Sequence, residues 1–392
     1  MKILVITFSA DMNPGTFMQA LGVRTGLLEM FPGAEVEYLN FPNFKASRWG
    51  KLTVGKNDSF LTIVRQKSTA FLRMLKYRRD NAKLFRFTRR ISMFDYDPAD
   101  ARELLSHYDL VCVGSDTILE EAVGGTSGQY SLAWCSSTLC NAPHIFFAAS
   151  ASPAHFADDA GITATLKEMV SGFRFIGLRD GLTASLFRDK MGISAERVVK
   201  QPDPSYLLDV SQFELKGYYA RRIAQLRAKG RRIALCNFSK NFLYRKQIAD
   251  MLRAEGFGVI TTAYSPYADL CLSTVSAREW AGVFRLCDMT VTERFHDSVF
   301  ALRNGCPVIA VDWEEKRFSE SGDSKTYRIL EDYGLEQFHF TFRKEEQLKD
   351  IISAFPGVME AYKEKNVAAK AVRYAEQAHA MLHDIKAAVK NS

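Results

Sequence analysis

Two short apolar runs, Met289-Thr-Val-Thr292 and Val308-Ile-Ala-Val311, are separated by one helix-length of chain and a Gly305-Cys-Pro turn. The second run is apolar at every position, and the first, with β-branched threonines beside Met289 and Val291, reads as a buried strand ending in polar residues. A strand that is apolar at successive positions is buried on both faces, as in a parallel sheet covered by helices. Parallel strands also need a crossover connection, and the segment between the runs supplies one. The same pattern recurs at Lys2–Phe8, Asp109–Val113, Pro143–Ala149, Arg174–Leu178, Arg231–Cys236 and Gly258–Thr262. Helical segments are expected between them, among them 16–30, 182–190, 218–229, 243–255 and 277–286. This alternation predicts an α/β fold with parallel sheets.

At 392 residues the chain exceeds one comfortable core, so two domains are expected. We read residues 1–210 as an N-terminal Rossmann-like domain and 211–365 as a second one. The two are expected to face one another across a cleft, with a C-terminal helix at 366–392 packing back on the first domain. Residues 41–100 break the strand–helix rhythm and read as a basic helical insertion. Within Phe71–Arg90 eight basic residues stand against one acid, Asp80. Two readings are open for Arg73–Arg90: a peripheral contact with an anionic membrane surface, or a solvated helix face over an apolar underside.

The net charge of +7 favours acidic ligands without marking a nucleic-acid binder. The seven cysteines are odd in number, lack a Cys-x-x-Cys pair and mostly fall in apolar runs. Buried reduced thiols and a cytoplasmic location, with the inner membrane face as a peripheral option, are expected. No metal site is predicted, since no ligand cluster has suitable spacing. The first loop lacks Gly-x-Gly-x-x-Gly, and the glycines at 124–128 do not follow a strand, so a dinucleotide cofactor is not expected. The N-terminal apolar run is too short for a secretory core.

Each predicted strand hands over to small or charged residues, and strand ends of this kind carry ligands in open α/β sheets. Asn13 and Gly15 lie in the first such loop. Ser115 and Asp116 follow Gly114, and Ser150 follows the Pro143–Ala149 run. Asp116 either orients or deprotonates a hydroxyl, or caps a following helix. Arg179 opens a helix, where the dipole favours acids rather than a cation. It serves either a ligand or a surface ion pair with Asp180 or Asp189. Arg294 and His296 join a fixed cation to a titratable proton donor at a strand–helix junction, which suits an anionic substrate.

These stretches in order resemble the polysaccharide pyruvyl transferase family. The matching parts are Asn13-Pro-Gly with Gln19-Ala20, Tyr108–Asp116, Ala148-Ala-Ser-Ala-Ser152, Gly177-Leu-Arg-Asp180, Asp203-Pro-Ser-Tyr-Leu-Leu208 and Thr292–Leu302. The resemblance implies a GT-B-like pair of Rossmann domains and transfer of a pyruvyl group from phosphoenolpyruvate to sugar hydroxyls as a ketal. No cofactor is implied beyond that donor; the acceptor is a sugar, lipid-linked or nucleotide-linked. It also implies that Asp116, Arg179, Arg294 and His296 line the phosphoenolpyruvate site. The sequence departs from the family's pattern at Met12-Asn-Pro-Gly and at Thr117-Ile-Leu after Asp116, both on the acceptor side. The alternatives are a GT-B glycosyltransferase that uses a nucleotide-sugar, and a glycan-binding family member without catalysis.

Overall fold

The computed structural model describes residues 1–9, 12–40, 60–91, 97–119, 134–151, 160–315, 318 and 324–390. The 41–59 and 92–96 parts of the expected insertion, the glycines at 124–128 and Ser152 lie outside the described residues. The chain forms two α/β units, residues 1–51, 79–208 and 374–392 in unit 1, and 52–78 and 209–373 in unit 2.

Unit 1 is built on seven parallel strands: β1 (Lys2–Ile6), β2 (Glu35–Asn40), β3 (Arg86–Arg90), β4 (Leu110–Val113), β5 (His144–Ala149), β6 (Phe173–Leu178) and β7 (Val198–Lys200). Their order is β3-β2-β1-β4-β5-β6-β7. Ile3, Leu4, Val5 and Ile6 are all fully buried. Leu4 and Ile6 join a cluster with Val111, Val113, Phe146 and Ile176, while Ile3 and Val5 point to the other face by the two-residue period of a strand. The continuous apolar run of the sequence is thus a strand covered on both sides.

Helix α1 (Pro14–Met30) is buried along most of its length. A Cβ on Gly22 would lie 2.1 Å from the carbonyl oxygen of Pro204, so only glycine lets the helix approach the 204–207 turn this closely. One turn earlier on the same side of α1 stands Gln19, which this contact brings to Asp203.

Helix α2 (Phe60–Leu84) ends before the basic run does. A helix extending through Arg90 is the expectation the structure corrects. Arg86–Arg90 form β3, paired in parallel with β2. Phe85 and Phe87 pack their rings on Tyr38, with centroids 4.8 and 6.1 Å apart. Arg86, Arg89 and Arg90 stay exposed, and charged side chains of this kind protect an edge strand from further pairing. From Tyr374 onward the last helix, Val367–Lys390, belongs to unit 1. There the Tyr374 ring lies 5.7 Å from that of Tyr206, tilted by 44°, and His379 Nδ1 lies 3.0 Å from a Glu29 carboxylate oxygen.

Unit 2 repeats the plan with six parallel strands: β8 (Arg232–Asn237), β9 (Phe257–Thr261), β10 (Leu270–Cys271), β11 (Met289–Thr292), β12 (Val308–Asp312) and β13 (His339–Thr341). The order is β10-β9-β8-β11-β12-β13. In both sheets the order reverses beside the first strand, between β1 and β4 and between β8 and β11. Crevices at such reversals, at the carboxyl ends of the strands, are where open α/β sheets bind ligands.

Candidate functional site

In unit 1, five predicted residues converge at the β1/β4 reversal. Asn13 is the N-cap of α1, its Oδ1 accepting from the Gly15 amide at 3.0 Å. The first turn of α1 contains no acid, so the positive end of its dipole is left uncompensated by its own side chains. Thr16 Oγ1 donates to Asp116 Oδ2 at 2.8 Å. Thr7 Oγ1, at the end of β1, donates to the Ser115 carbonyl at 2.9 Å. Ser150 N donates to the Asp116 carbonyl at 3.0 Å, extending the β4–β5 pairing into the loops.

Asp116 adopts φ 71°, a left-handed conformation uncommon for a residue other than glycine. Its Oδ1 accepts from the Thr117 amide at 2.8 Å. The described residues that follow, 117–119, form bends and turns, so the helix-capping reading gains no helix to cap there. Ser9, Ser115 and Ser150 are at most 1% exposed. Their hydroxyl oxygens have no hydrogen-bond partner among the described residues. Buried polar atoms left this way cost about 1–3 kcal/mol each. Three of them on one rim mark a polar site.

Arg179 continues the rim at the end of β6, its amide donating to the Ala149 carbonyl at 3.0 Å. Of the two readings, the surface pair with Asp180 or Asp189 does not form. Asp180 instead caps helix Gly181–Ser185, accepting from the Thr183 amide. Arg179 turns inward, 8% exposed, and its Nη1 donates to Asp203 Oδ2 at 3.1 Å. The same oxygen accepts from Gln19 Nε2 at 2.6 Å, and Asp203 Oδ1 accepts from the Ser205 amide at 2.9 Å. Gln19 and Asp203 stood in the sequence only as parts of matching motifs. Their service to Arg179 was not legible there.

In unit 2 the predicted pair lies at the β8/β11 reversal. Arg294 occupies the N-cap position of helix Phe295–Arg303 and is exposed; His296, in its first turn, is half-buried. Asp297 completes that turn and is missed by sequence reasoning, although it adjoins His296. It is 2% exposed. Asn237 Nδ2 and Thr292 Oγ1 each donate to its Oδ2 at 2.9 Å. Burial pushes the Asp297 carboxyl above the usual range, opposed by the Arg294 charge, the two hydrogen bonds and the His296 charge. A carboxylate held here supports positive charge on both predicted residues. Glu293 has a different task, accepting from the Ser239 amide at 2.7 Å and from the Trp313 indole. It ties together the loops that follow β8 and β12.

His339, which has no notable neighbours in sequence, has them in space. Its Nε2 lies 2.9 Å from Asp312 Oδ2 and 3.2 Å from Ser324 Oγ. A nucleophilic relay needs the acid on one ring nitrogen and the hydroxyl on the other. Here one nitrogen serves both, so the cluster is a buried tie that holds Ser324 as N-cap of helix Lys325–Tyr333. Among the described residues no group of three or more His, Cys, Asp or Glu could hold a metal ion. Nor is any described helix long and apolar enough to cross a membrane.

A model of the polysaccharide pyruvyl transferase family matches residues 13–315. No curated protein matches the sequence. Solved structures of similar fold include the UDP-GlcNAc 2-epimerase of Neisseria meningitidis bound to UDP-GlcNAc, at 10% identity and TM-score 0.54, covering 100% of both chains. A putative UDP-N-acetylglucosamine 2-epimerase from Listeria monocytogenes reaches TM-score 0.57 at 9% identity, covering 99% of this chain and 95% of its own. HepE of Anabaena, in complex with UDP, reaches 0.55 at 10% identity, covering 99% and 100%. At such identities the likeness is one of fold: two parallel-sheet α/β units of the GT-B type.

Proposed function

The chain belongs to the polysaccharide pyruvyl transferase family, and on that premise we propose that it transfers a pyruvyl group from phosphoenolpyruvate to hydroxyls of a polysaccharide-precursor sugar. One observation carries the reading. The side chains matching the family's donor site, Asp116, Arg179, Arg294 and His296, all leave the carboxyl ends of parallel strands. Three of them stand beside the two strand-order reversals.

The chemistry asks for these residue types. Phosphoenolpyruvate carries a phosphate of about −1.5 to −2 charge, as phosphomonoesters do, together with a carboxylate. Arg179 and Arg294 offer planar guanidinium forks suited to both groups. A proton goes to the methylene carbon while a sugar hydroxyl oxygen bonds to the neighbouring enol carbon. His296, as imidazolium, delivers that proton, and Asp116 accepts the proton lost by the hydroxyl. A second hydroxyl then bonds to the same carbon as the carbon–oxygen bond to phosphate breaks; its proton restores the His296 imidazolium, the proton held by Asp116 passes to the departing phosphate, and inorganic phosphate leaves with the ketal complete. The acceptor is a sugar, lipid-linked or nucleotide-linked.

The test is incubation with phosphoenolpyruvate and a panel of such sugars, read as phosphate release and as the mass gain of a pyruvyl ketal. His296→Ala is expected to lower the rate by about 10²–10⁴-fold, the usual contribution of a general acid. A near-normal rate in that variant would remove His296 from the acid role. Thermal stabilisation by nucleotide-sugars but not by phosphoenolpyruvate would favour the glycosyltransferase alternative instead.

A further inference from the structure

Helix α2 wears its residues the wrong way round for a helix on a water-facing surface. On one side Lys76 Nζ donates to Glu279 Oε2 at 2.8 Å, an Arg73 guanidinium nitrogen reaches the Thr262 carbonyl at 3.3 Å, and Tyr77 is buried. Charged groups thus occupy the inner side. The outer side carries Val64, Phe71, Leu72 and Leu75, which are 43%, 46%, 51% and 44% exposed. Their spacings of seven, eight and eleven residues keep them on one helical stripe. An amphipathic helix in water normally buries that stripe.

The charge that the helix itself sets beside the stripe has one sign. Between Phe60 and Arg79 the helix contains no aspartate or glutamate. Lys67 and Arg78 are exposed on the same side as the apolar residues. Arg79, also exposed, lies 3.9 Å from Asp80, which offsets its charge.

We propose that this face docks on an anionic lipid bilayer. The interfacial zone of a bilayer takes up apolar side chains to a depth of about 5–10 Å, and anionic headgroups attract the basic residues beside them. A second copy of the chain fits less well. A two-fold interface sets each patch against itself, so Lys67 and Arg78 would be brought towards their own like charges. Nucleic acid fits less well too, because phosphate binding has no use for a central stripe of aliphatic side chains. This inference does not rest on the pyruvyl-transfer reading, and it resolves the two sequence readings of the basic run differently from either. Arg73 and Lys76 are internal ties, Arg86, Arg89 and Arg90 guard a sheet edge, and the lipid contact belongs to the apolar stripe with Lys67 and Arg78.

Sedimentation of the full chain with vesicles tests it. Vesicles of mixed phosphatidylcholine and phosphatidylglycerol are expected to carry the protein down at low salt, and pure phosphatidylcholine vesicles are not. The F71S/L72S/L75S variant and the K67E/R78E variant are each expected to lower partitioning by about tenfold or more, given the usual contribution of each surface cation and buried methylene. Circular dichroism of both variants should match the parent, because the replaced side chains are exposed. Should the triple variant fail to fold, Leu72→Ser alone is the replacement, with a smaller expected loss. The proposal is overturned by absence of binding to the anionic vesicles, by equal binding to neutral ones, or by folded variants that bind as the parent does. A concentration-dependent dimer that F71S/L72S/L75S abolishes, without vesicle binding, would assign the face to a second copy.

Discussion

In Asp203→Asn the carboxylate that receives Gln19 Nε2 at 2.6 Å, Arg179 Nη1 at 3.1 Å and the Ser205 amide at 2.9 Å becomes an amide of the same shape. All three partners are donors, and an amide has only one acceptor atom. If its oxygen faces Gln19 and Arg179, its NH₂ meets the Ser205 N–H; flipped, it meets two donors at once. The guanidinium also loses a carboxylate partner where the two side chains are only 5% and 2% exposed. Removing one member of a buried ion pair costs about 3–5 kcal/mol, far more than a surface pair contributes. Unit 1, as the body that holds the pair, is of a size where each kcal/mol moves Tm by about 2–4 °C. Its calorimetric transition is therefore expected to fall by about 6–20 °C. Gln19→Leu removes a single donor along with a carbonyl oxygen that has no partner among the described residues, so its cost should be nearer 1 kcal/mol. The decisive measurement is the double-mutant cycle with Arg179→Met. Once the arginine is gone, Asp203→Asn no longer removes a carboxylate from a buried cation, and a coupling of about 1–3 kcal/mol is expected. Additive effects, or an Asp203→Asn cost below about 1 kcal/mol, would refute the reasoning.

In Asp297→Asn the oxygen can still accept from Asn237 and Thr292, but a carboxylate near His296 is lost. Imidazolium is then less favoured, so the alkaline limb of the pH–rate profile should move to lower pH; an unmoved limb would count against His296 as the acid. His144, fully buried on β5, has its pKa lowered by burial from 6.5 to about 4. Between those values the unfolded chain binds a proton that the native chain does not, so stability should fall as pH drops from 6.5 toward 4 and level off below. The loss is about 3 kcal/mol, at about 1.4 kcal/mol per pH unit. His144→Phe should flatten urea-unfolding free energies across that window, and an unchanged slope would assign the acid sensitivity elsewhere.

The strand-and-helix plan of both units was written locally. A parallel strand covered on both faces must be apolar at successive positions, so Ile3–Ile6, Leu110–Val113 and Val308–Val311 announce themselves without knowledge of their neighbours. The rim residues follow from the same logic, since whatever comes next in the chain lies at a carboxyl end. That made Asn13, Ser115, Asp116, Ser150, Arg179, Arg294 and His296 readable as a set. Tertiary structure decided what each one touches. Arg179 was legible as a cation out of place, but its partner is Asp203, 24 residues on, steadied by Gln19 a further 184 residues away in sequence from that aspartate. Periodicity does not encode such pairings, because they depend on α1 approaching the 204–207 turn at Gly22. Arg86–Arg90 is a strand because β2 offers it an edge and Tyr38 a surface for its phenylalanines, an opportunity absent from its own composition. The outward stripe of α2 was hidden for the same reason: a helix's pattern says that it has two faces, and only its packing says which one meets water.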